Sequence, residues 1–254
     1  MDFIVLGGDA RMPALAELLR EHGFTVRHTK APTAEALAGA NNVAVNCPPK
    51  CGVTMEELLA LTRSDARIWL CGPAGWDDPR TIDLWRDETL LRDNAHLTAE
   101  GAVCAAMKAS RKCLRDMRCM VIGWGRIGGA LTEMLVALGA KVTVISRCEV
   151  HRHRAIERGA EAASMEALPQ VLPDIDLVFN TAPALVLDGE ALRSANRSAM
   201  LIDLASPPYG IDLRSAWNLG LRAWREPALP GRYCPDSAAE ALCRAILRGG
   251  ARHA

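Results

Sequence analysis

Short apolar, β-branched runs alternate with stretches of helical periodicity along the whole chain. That alternation predicts parallel strands joined by helices in a doubly wound α/β architecture. Phe3 to Leu6 reads as a buried strand. Met12 to His22 reads as a helix with Leu15, Leu18 and Leu19 on one face, ended by Gly23. Thr25 to His28, Val43 to Asn46 and Ile68 to Cys71 read as further strands, with helical stretches at Ala34 to Ala38 and Met55 to Leu61. Pro48-Pro49, Gly72-Pro73 and Asp78-Pro79 mark loops.

From Thr98 to about Lys112 the chain becomes helix-favouring and poor in bulky apolar residues, with Thr98 read as the N-cap and Glu100 in the first turn. This predicts a linking helix. A second alternation follows, with strands at Cys119 to Ile122, Val142 to Ile145, Leu177 to Phe179 and Met200 to Leu204, and a terminal helix from Ser237 to Leu247. The predicted fold is α/β, with two doubly wound parallel-sheet domains, the second Rossmann-like. Residues 1–95 form a flavodoxin-like or Rossmann-like substrate domain. Residues 96–254 form the nucleotide domain, including the linking and C-terminal helices.

Length and charge narrow the function classes. The 254 residues suit two domains of ordinary size, and half of them are hydrophobic, enough for substantial cores. The formal net charge is zero, so the total recruits neither nucleic acid nor an anionic membrane. No apolar run reaches the roughly 18 residues of a membrane span, and Asp2 followed by the glycine-rich turn at Gly7 is unlike a secretory leader. A cytoplasmic protein is expected. Its nine cysteines are then reduced thiols in small apolar sites, with no C-x-x-C pair. Cys47 with Cys51, and His151 with His153, lack partners at zinc-ligand spacing, so no metal is expected.

The sharpest motif is Gly123-Trp124-Gly125-Arg126-Ile127-Gly128, which follows the strand Cys119 to Ile122 and opens a stripe of Ile127, Ala130, Leu131, Met134, Leu135 and Leu138. This is G-x-G-x-x-G between a strand and a helix. Gly123 permits the tight turn, Gly125 lets the backbone approach a pyrophosphate, and Gly128 lets helix and strand pack closely. Arg126 and Ile127 stand at the helix N-terminus, whose N–H groups and dipole favour phosphate. Gly139-Ala140 closes the helix, and Lys141 to Ile145 supplies the second strand of the βαβ unit.

The end of that second strand selects the nucleotide. An acidic residue there binds the ribose hydroxyls of NAD, whereas hydroxyl and guanidinium groups accept the 2′-phosphate of NADP. Ser146-Arg147 stands at this place, with Arg152 and Arg154 beyond it, and points to NADP. Glu149, two residues further on, keeps NAD as the alternative. Thr181, Ala182 and Pro183 after one strand, and Leu204, Ala205 and Ser206 after the next, should reach the same crevice at the carboxyl ends of the strands. Each also reads as an ordinary turn residue.

Together these motifs resemble a family, the A-type subunits of dipicolinate synthase. The matching pieces are Gly7-Gly8-Asp9-Ala10-Arg11, Leu97-Thr98-Ala99-Glu100-Gly101, Gly123 to Gly128, Asn180 to Pro183, Asp203-Leu204-Ala205-Ser206 and Leu229-Pro230-Gly231 with Pro235 after it. The resemblance implies NADP-dependent oxidation of dihydrodipicolinate to dipicolinate, partnership with the flavoprotein-like B-type subunit of the synthase, and a place in the mother-cell cytoplasm during sporulation. Pro208-Tyr209 and Arg232-Tyr233-Cys234 depart from the family pattern in loops expected beside the crevice, as does a short N-terminal domain.

A dicarboxylate substrate asks for cations or N–H groups at both ends. Arg11 is the first candidate, and Thr98, Ser206 and Gly231 are the other expected substrate contacts. Asp9 and Glu100 are the carboxylates expected nearest the crevice, as bases or, more plainly, as helix caps. A 2-hydroxyacid dehydrogenase would carry a late histidine as general acid, and none lies between His153 and His253. A non-catalytic NADP(H)-binding subunit or sensor is the alternative from another class. A homo-oligomer is compatible with the sequence but not specified by it.

Overall fold

The computed structural model describes residues 2–46, 49, 51–73 and 75–250. The chain divides into two compact units, Met1–Leu97 with the segment from Pro230 onward, and Thr98–Leu229.

The first unit begins with β1 (Phe3–Leu6), α1 (Arg11–Glu21), β2 (Val26–Thr29), α2 (Ala34–Ala38), β3 (Asn42–Val45), α3 (Met55–Leu61), β4 (Arg67–Leu70) and β5 (Thr81–Asp83). All five strands pair in parallel in the order β2-β1-β3-β4-β5, the flavodoxin-like arrangement, whose switch point lies between β1 and β3. Phe3 and Val5 join the core formed with α1, while the alternate residues Ile4 and Leu6 join the one formed with α2 and α3. Both faces are therefore covered, which is why β1 reads as an unbroken apolar run. Thr54 and Glu57 close a capping box at the start of α3.

A long helix, α4 (Glu88–Ala109), continues the chain from the first unit into the second. The second unit then runs β6 (Arg118–Ile122), α5 (Arg126–Ala137), β7 (Lys141–Ile145), α6 (Glu149–Glu157), β8 (Glu161–Ala163), α7 (Leu168–Val171), β9 (Leu177–Asn180), β10 (Met200–Asp203), α8 (Leu213–Asn218) and β11 (Arg222–Arg225). Its six parallel strands lie in the order β11-β10-β9-β6-β7-β8, the Rossmann order, with the switch point between β6 and β9. After α9 (Leu229–Tyr233) comes α10 (Pro235–Arg248), the last element among the described residues.

Three sequence readings are corrected. Thr98 is not an N-cap, because α4 begins ten residues earlier at Glu88, and Thr98 is buried within it. Glu100 is consequently a mid-helix residue, not one of a first turn. The C-terminal helix, read with residues 96–254, packs on α1 in the first unit, where Ala239, Leu242 and Ile246 share the core of Leu15 and Leu19. Strands β5, β8 and β11 escaped the sequence pattern. None of them is an unbroken apolar run, and their burial is only partial over most positions.

Candidate functional site

The glycine turn lies at the carboxyl end of β6, on the switch point of the second sheet. Gly123 adopts φ +98°, a conformation that favours glycine, and a Cβ there would stand 2.7 Å from Thr181 Oγ1. Gly128 is tighter still, since its Cβ would come within 2.2 Å of the Gly123 carbonyl oxygen. Gly125 differs from both. It is the N-cap of α5 in an extended conformation, and nothing lies within 4 Å of where its Cβ would be. No side chain caps α5 at this end. An open approach to the amino end of a twelve-residue helix is a cradle that fits a pyrophosphate. Arg126 is exposed and Ile127 half-buried on the first turn.

Thr181 locks the neighbouring strand end, for its backbone N–H and its Oγ1 both donate to the Ile122 carbonyl at 2.9 Å. Ala182 is half-buried beside it and Pro183 exposed. Across the pairing of β9 with β10, buried Asn180 donates to Asp203 Oδ1 at 2.8 Å and to the Ala182 carbonyl at 3.0 Å. Asp203 also accepts from the backbone N–H groups of Ala205, Gly210 and Ile211 at 3.0–3.2 Å. One carboxylate thus folds the loop that carries Leu204, Ala205 and Ser206, of which Ser206 is exposed. Tyr209 in that loop has φ +69°, and the Arg225 guanidinium stacks 3.8 Å from its ring centroid.

At the end of β7, Ser146 is buried and its Oγ accepts from the Cys148 N–H at 3.3 Å. The Arg147 side chain is exposed and has no hydrogen-bond or ionic partner among the described residues. Arg152 has another task than the expected phosphate contact, since its Nη1 donates to the carbonyls of Ser146 and Arg147 at 2.8 and 3.1 Å. It holds the backbone that presents Arg147. Glu149 lies in the first turn of α6 and pairs with His153 at 3.7 Å.

A second cluster lies at the switch point of the first sheet. Asp9 Oδ1 accepts from the Arg11 N–H at 2.9 Å, and the Arg11 guanidinium contacts both Asp9 oxygens at 2.5–3.0 Å. A Cβ on Gly231 would stand 3.2 Å from both Arg11 Nε and Asp9 Oδ1, so the Leu-Pro-Gly motif abuts this pair. Partial burial opposes ionisation of Asp9, but Arg11 and the Asn46 amide outweigh it and hold its carboxyl below the usual carboxylate range. Such a carboxylate orients a guanidinium well and accepts a proton poorly. Asn46, not singled out as a site residue in the sequence, donates to Asp9 Oδ2 at 3.4 Å, and its buried Oδ1 has no partner among the described residues. Its signal was positional, immediately after the strand across the switch point from β1.

Of the two carboxylates expected nearest the crevice, Asp9 belongs to the first unit and Glu100 to the second, where exposed Glu100 lines a groove with Met134 and Leu138, at the opposite end of α5 from the glycine turn. Among the described residues no three metal-ligating side chains gather, and no helix is long and apolar enough to cross a membrane. Cys47, Pro48 and His253 lie outside the described residues.

Residues 89–206 match the family described as D-isomer specific 2-hydroxyacid dehydrogenase, NAD binding domain. The A-type subunit of dipicolinate synthase from Bacillus subtilis (strain 168) is 29% identical over 169 residues, 66% of this chain and 57% of that protein. The chain thus matches little more than half of this relative. The crystal structure of the A-type subunit of dipicolinate synthase from Bacillus halodurans superposes with a TM-score of 0.82 at 23% identity, covering 99% of this chain and 98% of that one. The Bacillus subtilis structure gives 0.80 at 22% identity, covering 98% and 96%. Transhydrogenase from Sinorhizobium meliloti shares the fold at 0.75 and 15% identity, covering 98% and 93%. In sequence over two thirds of its length the chain is similar to a dipicolinate synthase A-type subunit, its fold is similar to those of two such subunits, and residues 89–206 match a nicotinamide-nucleotide domain of the 2-hydroxyacid dehydrogenase type.

Proposed function

We propose that the protein is an NADP-dependent oxidoreductase of the dipicolinate synthase type, which oxidises dihydrodipicolinate to dipicolinate in the cytoplasm together with a flavoprotein-like B-type subunit. The observation that carries the cofactor choice is the end of β7. Arg147 presents an exposed guanidinium with no partner among the described residues, Ser146 precedes it, and no carboxylate holds the position that binds a ribose diol. Gly123, Gly125 and Gly128 give the diphosphate its approach to α5, with Arg126 and Ile127 at the rim. Thr181, Ala182, Pro183, Leu204 and Ala205 border the nicotinamide side. The bound nucleotide supplies the hydride acceptor.

In the first unit Arg11 takes one substrate carboxylate, with Asp9 and Asn46 fixing its direction and Gly231 leaving room beside it. Ser206 is kept as a further substrate contact. Thr98 is too buried for that role, and the placement of Glu100 argues against it as the base. The shortage of a free proton acceptor favours the second reading, a non-catalytic NADP(H)-binding subunit.

Two measurements separate these readings. Calorimetry is expected to show NADP bound at least tenfold more tightly than NAD. Turnover of dihydrodipicolinate with NADP, measured with and without the B-type subunit, supports the enzyme, while tight NADP binding without turnover in either mixture supports the module. Absence of uptake of both nucleotides would sink both.

A further inference from the structure

Two polar groups remain open inside one small cluster of the first unit. Arg11 directs Nε and Nη2 at the Asp9 carboxylate, and its Nη1 has no hydrogen-bond partner among the described residues. Asn46 Nδ2 donates to Asp9 Oδ2, the same oxygen that Arg11 Nη2 holds, while Asn46 Oδ1 has no partner among the described residues. Asn46 is only 8% exposed, and a buried acceptor left unpaired is disfavoured until a bound group supplies its donor. The sense of the amide is fixed. Asp9 is held ionised beside Arg11 and can only accept, which keeps Nδ2 on the carboxylate and leaves Oδ1 as the acceptor at the other end. A Cβ on Gly7 would stand 3.1 Å from Nδ2, and Gly7 takes φ +136°, so the glycine after β1 leaves the room in which this amide lies.

A cationic donor and a neutral acceptor gathered on one carboxylate oxygen define a complement. The donor takes a ligand carboxylate, and the acceptor takes an N–H next to that carboxylate. A reduced pyridine dicarboxylate with hydrogen on its ring nitrogen has this pattern, because the N–H lies between the two carboxylates. The aromatic acid presents a nitrogen lone pair at the same place, and a lone pair facing Oδ1 is repelled. Sites built around a hydrogen bond reject analogues that lack the donor far more strongly than apolar pockets reject a change in shape.

We infer that Asn46 Oδ1 is a specificity group that accepts a hydrogen bond from the ring N–H of a reduced dicarboxylate and disfavours the aromatic product. The inference rests on the reading of Arg11 as a carboxylate contact and deepens it. Its test is calorimetry of the full chain, with and without NADP, against three dicarboxylates of one spacing. These are cis-piperidine-2,6-dicarboxylate with a ring N–H, cis-cyclohexane-1,3-dicarboxylate with a methylene in its place, and pyridine-2,6-dicarboxylate with a lone pair. Wild type should bind the piperidine compound roughly tenfold or more tighter than either of the others. In Asn46→Leu that preference should shrink to within about threefold, through loss of affinity for the piperidine compound alone. Circular dichroism checks folding, and Asn46→Ala replaces the leucine variant if that one unfolds. Equal binding of the three by wild type, with all three weakened in Arg11→Ala, would overturn the role of Asn46 and leave the carboxylate reading standing. A preference that survives in Asn46→Leu, or an equal loss for all three compounds, would also overturn it, since a purely structural asparagine gives that result. Binding of none of the three by wild type would remove the carboxylate reading itself, and this inference with it.

Discussion

Asn180 Nδ2 donates to Asp203 Oδ1 at 2.8 Å in the interior of the second sheet, where the two residues face each other at the last rungs of β9 and β10. The pair ties two strand ends at the carboxyl edge, and Asp203 in turn gathers the N–H groups of Gly210 and Ile211. Replacing Asp203 with alanine leaves those buried donors without an acceptor, each costing roughly 1–3 kcal/mol. A loss of about 3 kcal/mol is expected in urea unfolding, with the denaturant slope unchanged. Asp203→Asn should recover part of it.

The glycines of the turn separate by the space around them. Gly128→Ala forces a methyl against the Gly123 carbonyl, so it should lower stability by about 1–3 kcal/mol before any ligand is added. Gly125→Ala has space and no positive φ, so the free protein should melt within a degree or two of wild type, a shift of under about 0.5 kcal/mol. Its nucleotide affinity should still fall at least tenfold in calorimetry. Equal nucleotide affinity in Gly125→Ala and wild type would remove the pyrophosphate from this turn.

Arg147→Ala should weaken NADP by about 10- to 100-fold, or roughly 1.4–2.8 kcal/mol, and leave NAD within about twofold. The side chain has no partner among the described residues, so its melting temperature should not move. If both nucleotides weaken together, the guanidinium touches something other than the 2′-phosphate.

Asp9 ties acid stability to the first switch point. Its carboxyl is held below the usual range, so its stabilising effect is present above the unfolded pKa of about 4 and is lost as pH falls through the folded value. The melting-temperature gap between wild type and Asp9→Asn should therefore be full at neutral pH and close on acidification below about pH 4. A gap constant from neutrality to strong acid would show that Asp9 does not act through its charge.

Thiol chemistry should follow burial. Burial pushes Cys119 up to about 12 and Cys243 up to about 11, while Cys113 and Cys148 are exposed. Under mild alkaline conditions a colorimetric disulfide reagent should modify Cys113 and Cys148 first and reach Cys119 and Cys243 only on unfolding, as mass mapping of the products can check.

What the residues determine without the fold is local and periodic. The unbroken apolar runs of β1, β6, β9 and β10 announce strands covered on both faces, and Gly123, Gly125 and Gly128 announce a strand-to-helix turn, because backbone sterics act over only a few residues. Ser146 and Arg147 could be placed at the second strand's end by counting along one βαβ unit. Tertiary structure alone decided the rest. It returned α10 to α1, since an amphipathic helix specifies an apolar face but not whose. It turned Arg152 onto carbonyls, left Arg147 exposed, and drew Asp9 into a pair with Arg11. It also made Asp203 the organiser of its loop and put Glu100 on a groove at the far end of α5. These assignments depend on contacts between residues distant in sequence or on side-chain direction, neither of which periodicity encodes.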